Sequence, residues 1–418
     1  MTPVLSSAQL LGYSQLAIPL AFAGLPLYLH APAYYANHHQ VSLGTLGLIM
    51  LGLRLVDAFQ DPLIGRYSDR YPGYRSVILI AGLCLLGGGI WLVFHPSGDH
   101  PALWFAVSLF LSTTGYSIVS INQQALGSLW GADSQARTRI HGWRESAGLC
   151  GILLAASAPT LLGSHHHPEQ AFHLYTLFSL PLLLLAGLVF YHWQRRTGLP
   201  LTQVTGQTGH SFRLIQNNRR FYAFYLANSL ASALPAVLVL YYIQDRLQAD
   251  AYSGYYLSVY FLSGALGMPI WQALANRYGK YRAWQISILV AAISFIWAYS
   301  LGSGDFYAYG LVCLFSGLAL GADLALPPAI LADRMAQQGD YANATGYHAN
   351  LALLNKTALA IAAGIALPFL ALFGYQPGIT DPSATQVLSL TYALIPSGLK
   401  LLMAYLLSRY CFPPELRQ

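Results

Sequence analysis

The chain has 418 residues, 55% of them hydrophobic and only 9% charged, with 21 Lys and Arg against 15 Asp and Glu for a formal charge of +6. Soluble domains carry about 25% charged residues, so this chain has too few to cover a water-facing surface, and an ordinary soluble enzyme is excluded. The apolar content excludes disorder, and the absence of a three-residue glycine period excludes collagen.

No Lys, Arg, Asp or Glu precedes Arg54 and Asp57. That opening stretch is too long for a signal peptide and lacks its basic start, so it reads as one spanning helix running into a second. A span needs about 20 mostly apolar residues to cross a hydrocarbon core of about 30 Å. Twelve such runs follow one another, at 8–30, 43–65, 75–95, 102–125, 142–163, 171–193, 218–243, 253–275, 283–301, 306–330, 344–372 and 386–409. Their internal Pro and Gly are tolerated in membrane helices. The fold class is all-α, a polytopic membrane protein. The longest polar interruption, Trp193 to Arg220, contains Gln203 to His210 and divides the spans into six plus six. The expected division is a first bundle over 1–195, a linker over 196–217 and a second bundle over 218–418.

With the N-terminus inside, sixteen of the 21 basic residues fall on one side, while the opposite loops hold only Arg246. The positive-inside rule then puts both termini in the cytoplasm. Arg54, Arg144, Lys356 and Lys400 fall within or at the edge of spans. The basic excess is therefore topological, and no nucleic-acid partner is expected. Cys84, Cys150 and Cys313 lie in apolar runs and, with Cys411, show no pairing motif, so they read as packing residues. His38-His39 and His165-His166-His167 fall in predicted external loops, and no metal site is expected.

Asp69-Arg70-Tyr71-Pro72-Gly73-Tyr74-Arg75 after the second span corresponds to Asn276-Arg277-Tyr278-Gly279-Lys280-Tyr281-Arg282 after the eighth, and Pro62 meets Pro269 at the same offset. Five of the fourteen positions from 62 to 75 are identical in the second copy, which points to duplication. Arg54, Asp57 and Asp61 lie on one face of the second span, because residues three and four apart stack on one side of a helix. A carboxylate deep in a bilayer is costly, so two of them one turn apart call for a cation, a proton or basic partners. Asp323, in the tenth span, is an isolated intramembrane acid and a functional candidate on the same ground, with Lys400 or Lys356 as its possible partner.

Gly65-Arg66-Tyr67-Ser68-Asp69-Arg70, ending in Arg75, resembles the signature loop of the major facilitator superfamily. Its glycine allows close helix approach, and its Asp and Arg pair across a seam that opens and closes. The run Leu53-Arg54-Leu55-Val56-Asp57-Ala58-Phe59-Gln60-Asp61-Pro62-Leu63-Ile64-Gly65, with Pro328-Ala329-Ile330-Leu331-Ala332-Asp333, Asp340, Gly346 and Lys356, resembles the glycoside–pentoside–hexuronide:cation symporters, of which the melibiose permeases are members. The resemblance extends from Tyr34-Tyr35 to Pro413-Pro414. It implies two pseudo-symmetric six-helix bundles with a solute site between them near mid-membrane, as in transporters built from parallel repeats.

The resemblance further implies that Asp57, Asp61, Gln60 and Ser117 bind the coupling Na⁺, Li⁺ or H⁺, that Lys356 approaches the acids and couples cation to solute, and that Arg144 contacts sugar. Carboxylate and hydroxyl oxygens suit a hard cation. Where the melibiose permeases have acids that grip sugar hydroxyls, this chain has Ala21 and Ser120, which disfavours a galactoside and favours H⁺. Tyr116, Ser120, Gln123 and Gln124 share a side of the fourth span and Asn228 sits in the seventh, so Tyr116, Ser120, Gln124, Asn228 and Arg144 are candidate solute contacts. Arg54, Lys356 and Asp323 are candidate coupling charges. Gly65, Asp69, Arg70, Arg75, Arg277 and Arg282 are candidate elements of a cytoplasmic gate, and Glu145 beside Arg144 reads as a gate partner or a solvated acid.

The expected protein is thus a monomeric, multi-pass inner-membrane transporter that imports a small solute such as a sugar or glycoside with H⁺ or Na⁺, without a cofactor. A carrier of lysolipids or other amphipaths, drug efflux, and a polytopic membrane enzyme using the histidines are the alternatives.

Overall fold

The computed structural model describes residues 5–131, 133–163, 168–197, 211–378 and 381–410, and among them no strand occurs. Twelve long helices follow in order: α1 (Ala17–His39), α2 (Leu43–Arg70), α3 (Arg75–Phe94), α4 (Pro101–Trp130), α5 (Ser134–Gly163), α6 (Pro168–Thr197), α7 (Arg219–Tyr241), α8 (Ser253–Tyr278), α9 (Lys280–Tyr299), α10 (Phe306–Gln338), α11 (Ala344–Leu372) and α12 (Ile395–Tyr410). Among the described residues, ten helical segments are long and apolar enough to cross a membrane.

The sequence placed one span at 8–30 and His38-His39 in a loop. Instead the first run is broken at Gln15 and Leu16, after a short helix Ser7–Ser14 that starts on a Ser6–Gln9 capping box. The chain then stays helical to His39, so His38 and His39 form the last turn of α1. Aromatic packing explains the extension, since the Tyr34 ring lies 5.2 Å from His38 and 5.3 Å from His39. Cys84 and Cys150 are exposed on α3 and α5, so of these three apolar-run cysteines only Cys313 is a buried packing residue. Gln203 to His210, most of the predicted linker, His165 to His167, Cys411 and Arg417 lie outside the described residues.

The chain divides into two compact units, residues 1–214 with 331–353, and residues 215–330 with 354–418. In the first, α3 packs on α4 and α1 on α5. Backbones approach closely where α3 meets α4, because a Cβ on Gly115 would stand 2.3 Å from the Leu86 nitrogen and 2.6 Å from the Gly82 carbonyl. Such small-residue contacts hold helices together in lipid, where burial of apolar surface supplies no driving force. The unit's core runs through the rings of Tyr13, Tyr35, Phe94, Phe105, Tyr175 and Trp193.

In the second unit α12 packs on α9 and α7. Its core is a tyrosine cluster in which Tyr242 stacks on Tyr392 at 4.1 Å and Tyr309 shares a 2.7 Å hydroxyl contact with Tyr392. Tyr242 begins a π-helical turn at Tyr242–Arg246, and Tyr392 lies in a second at Leu390–Leu394. Both turns thus occur where bulky rings meet. Where residues 331–353 join the first unit, polar contacts fix them, and these belong to the site.

Candidate functional site

Asp57 and Asp61 lie on one face of α2, and both are buried, Asp61 completely. Ser117 of α4 donates a 3.1 Å hydrogen bond to Asp57 Oδ1. Gln60 Nε2 donates to the same oxygen at 2.7 Å, and Thr114 Oγ1 donates to Gln60 Oε1 at 3.0 Å. The i, i+3, i+4 spacing of α2 and the i, i+3 spacing of Thr114 and Ser117 on α4 bring these groups to one seam. Arg54 is half-buried one turn before Asp57. Two buried carboxylates with hydroxyl and amide groups form a set able to hold a proton or a hard cation.

Arg144 of α5 is buried, and its three nitrogens reach Gln123 Oε1 at 3.4 Å, Ser120 Oγ at 2.8 Å and Glu145. Glu145 is thus an ion-pair partner. Gln123 in turn donates to the Tyr13 carbonyl at 2.9 Å and accepts, through its own carbonyl, the Tyr13 hydroxyl. Tyr116 and Gln124 are half-buried on α4, and Tyr116 packs against the unit's core. Arg144 and Ser120 are therefore together, in a unit that contains no other candidate solute residue except Tyr116 and Gln124.

Asp69 ends α2 against the start of α11, within the same unit. Its Oδ1 accepts the Thr345 N–H at 2.9 Å and its Oδ2 the Gly346 N–H at 2.7 Å. These are amides left open at a helix N-terminus, where a carboxylate is favoured. Arg75 bridges the contact, reaching Asp69 Oδ1 at 3.3 Å and Thr345 Oγ1 at 2.9 Å. Gly65 lets the helices meet, since a Cβ there would stand 2.6 Å from Ala349 Cβ and 3.0 Å from Gly346 Cα. Gly65→Val is expected to force α2 off α11 at a cost of about 1–3 kcal/mol, visible as a lowered unfolding temperature of the purified protein.

The repeated loop behaves differently in its second copy. Asn276 and Arg282 are exposed. Arg277 lies 5.2 Å over the Tyr278 ring, as Arg70 lies 5.7 Å over Tyr71. An uncharged Asn276 can neither form an ion pair with Arg282 nor serve as a helix-capping anion, so of the two loops the first alone carries the buried carboxylate contact.

In the second unit, Asp323 of α10 gathers three other helices. Asn228 of α7 donates at 3.1 Å and Trp284 of α9 at 2.7 Å to Oδ1, while Ser232 at 3.3 Å and Lys400 of α12 at 2.9 Å donate to Oδ2. Lys400 is 1% exposed and also reaches Asn228 Oδ1 at 3.4 Å, so it pairs inward and does not snorkel. Asn228 thus sits in a charged network. Lys356 is half-buried on α11 in this unit.

The family model for MFS/sugar transport proteins matches residues 10–413. The chain belongs to that family. It is a membrane transporter of the major facilitator fold and not an enzyme. Similar proteins in Escherichia coli strain K12 include the inner membrane symporter YicJ, 23% identical over 70% of this chain and 66% of YicJ, and a glucuronide carrier protein homolog, 23% identical over 96% of this chain and 92% of the homolog. Among solved structures, a bacterial homologue of the iron transporter ferroportin in an outward-facing state superposes with a TM-score of 0.70 at 16% identity, covering 96% of this chain and 99% of that one. The E. coli fucose:proton symporter FucP superposes at 0.67 and 15% identity, covering 96% and 97%. These two likenesses concern the fold. With the apolar helices, the family makes the transporter a multi-pass inner-membrane protein.

Several polar residues of the transporter escape a sequence reading. Thr114 is legible only as a hydroxyl one turn before Ser117. Ser128, His141 and His348 are buried together, with Ser128 Oγ 3.1 Å from His141 Nε2 and 2.7 Å from His348 Nε2. Arg137 and Ser134 reach Asp333 at 3.0 and 2.7 Å. No local pattern announces either cluster, because each draws one member, His348 or Asp333, from about half the chain away.

Proposed function

We propose that the transporter imports a sugar or glycoside together with H⁺ or Na⁺ by alternating access, as a monomer with both termini in the cytoplasm. The observation that carries this reading is the buried Asp57 and Asp61 pair with Ser117 and Gln60 turned onto Asp57. Two buried acids one turn apart suit a charge that comes and goes. The names of the relatives, a symporter and a glucuronide carrier homolog, support the same reading.

In this scheme Asp57, Gln60, Asp61 and Ser117 take the cation, and Arg54, Lys356 and Asp323 are the coupling charges. Arg144, Tyr116, Ser120, Gln124 and Asn228 contact the solute. Gly65, Asp69, Arg70, Arg75, Arg277 and Arg282 control closure of the cytoplasmic side. Lysines suit a coupling role because their charge is a compact point on a flexible stem.

Asp57→Asn and Asp61→Asn are each expected to abolish uphill accumulation of a transported glycoside in vesicles given a pH or Na⁺ gradient. The inside-to-outside ratio should fall to about one, the value for equilibration without coupling. Retained accumulation in either variant would overturn the cation site.

A further inference from the structure

The geometry points to Glu145 as the residue that makes the transporter take uncharged glycosides and exclude uronides, by cancelling the charge of Arg144 and accepting a hydrogen bond from a sugar hydroxyl. This inference rests on the reading that Arg144 contacts a sugar. Arg144 lies ten residues after Ser134, the start of α5, so at 1.5 Å per residue the pair stands about 15 Å along the helix, well inside the membrane. Ionised side chains at that depth face the bundle interior or a water-filled cavity, not lipid. The Glu145 side chain is 13% exposed and that of Arg144 9%, so a surface of each opens on polar space.

The bonding capacity of the pair is only partly used. A guanidinium has five N–H donors and no acceptor. Three are engaged, Nε with Gln123 Oε1 at 3.4 Å, Nη2 with Ser120 Oγ at 2.8 Å and Nη1 with Glu145 Oε1, which leaves two donors. Glu145 has Arg144 as its one partner among the described residues, so its Oε2 is left as an acceptor. Donors and an acceptor side by side match sugar hydroxyls, each of which both donates and accepts. A charged sugar meets a different situation. The two side-chain charges cancel, so a uronide, ionised near pH 7, brings its carboxylate beside that of Glu145 with no unspent positive charge at Arg144 to receive it.

The test measures the binding of matched probes to the purified full-length transporter by titration calorimetry, with thermal unfolding beside it. The probes are nitrophenyl glucoside and galactoside and the corresponding glucuronide and galacturonide, which replace a hydroxymethyl group by a carboxylate. The wild type is expected to bind the uncharged member of a pair at least about tenfold tighter, a ratio that like charges a few ångströms apart readily supply. Glu145→Gln keeps the shape and frees the charge of Arg144, and should reverse the order by about tenfold or more. A uronide should then raise its unfolding temperature, because the ligand replaces the lost counter-charge. Glu145→Asp should retain the wild-type order. Arg144→Gln with Glu145→Gln leaves no lone buried charge to unfold it, and its ratio should approach one. An ion pair that only joins helices would change stability and leave the ratio alone. A wild type that prefers the uronides, or a ratio unchanged in Glu145→Gln and in the double variant, would overturn the role of Glu145 while sugar binding stands. Binding of no probe by any of these proteins would overturn it together with the sugar reading beneath it.

Discussion

Asp69→Asn is expected to destabilise the first unit by about 3–5 kcal/mol, the usual cost of removing one partner from a buried ion pair. The carboxylate and the Arg75 side chain are 2% and 3% exposed, so the loss leaves a guanidinium buried without its counter-charge. Asn keeps one oxygen, which can accept from Thr345 or from Gly346 but from both only weakly, and its NH₂ faces amide donors that it cannot satisfy. The start of α11 then loses the anion on its open N–H groups. About 3 kcal/mol corresponds to roughly a hundredfold shift in the population of the conformer holding the contact. The measurement is thermal unfolding of the purified variant beside vesicle uptake. Asp69→Asn with Arg75→Gln should be more stable than Asp69→Asn alone, since no unpaired charge remains, and the double-mutant cycle gives the coupling. A single variant within about 1 kcal/mol of the wild type would show that the carboxylate does not hold α11.

Asp323→Ala should lower stability at least as much. Four donors from α7, α9 and α12 converge on this carboxylate, and its removal strands Lys400 at 1% exposure together with the Trp284 indole, Asn228 and Ser232. Losing the partner of a buried charge costs about 3–5 kcal/mol, and each stranded donor adds about 1–3 kcal/mol before relaxation. Replacing both charges, Asp323→Ala with Lys400→Met, should recover the part of the loss due to the stranded charge, about 3–5 kcal/mol, while Trp284, Asn228 and Ser232 stay without the carboxylate. The recovered variant also separates two roles. If Asp323 is a coupling charge, the stable double variant will fail to accumulate a glycoside uphill. If the pair only joins helices, accumulation will return with stability.

Scarcity made the charges readable. With so few in the chain, Asp57, Asp61, Arg144, Asp323, Lys356 and Lys400 stood out by position alone, because a charge in a long apolar run is rare and expensive. Helical period placed Asp57 and Asp61 on one face, and that period is local to a few residues. Where the reading slipped, the cause was non-local. The run at 8–30 looked like one helix, yet it breaks at Gln15 and continues to His39, where Tyr34 packs on the two histidines. Cys84 and Cys150 lie in apolar runs, as buried residues do, but α3 and α5 present them outward.

The sequence by itself determined the membrane class, the helical fold, the duplication and the family resemblance, since each follows from composition, run length or a repeated motif. Tertiary structure alone decided which helices supply partners. Asp323 offered Lys400 and Lys356 equally on paper, and it is Lys400 that pairs with it. Asp69 and Asn276 occupy matching places in the repeat, and the structure shows what the charge of Asp69 is for, since it caps the start of α11. Thr114 was one hydroxyl among many until α4 was set against α2 in a register that puts it on Gln60. Side-chain pairing between distant helices depends on their relative rotation and height, and no single helix's pattern contains that information.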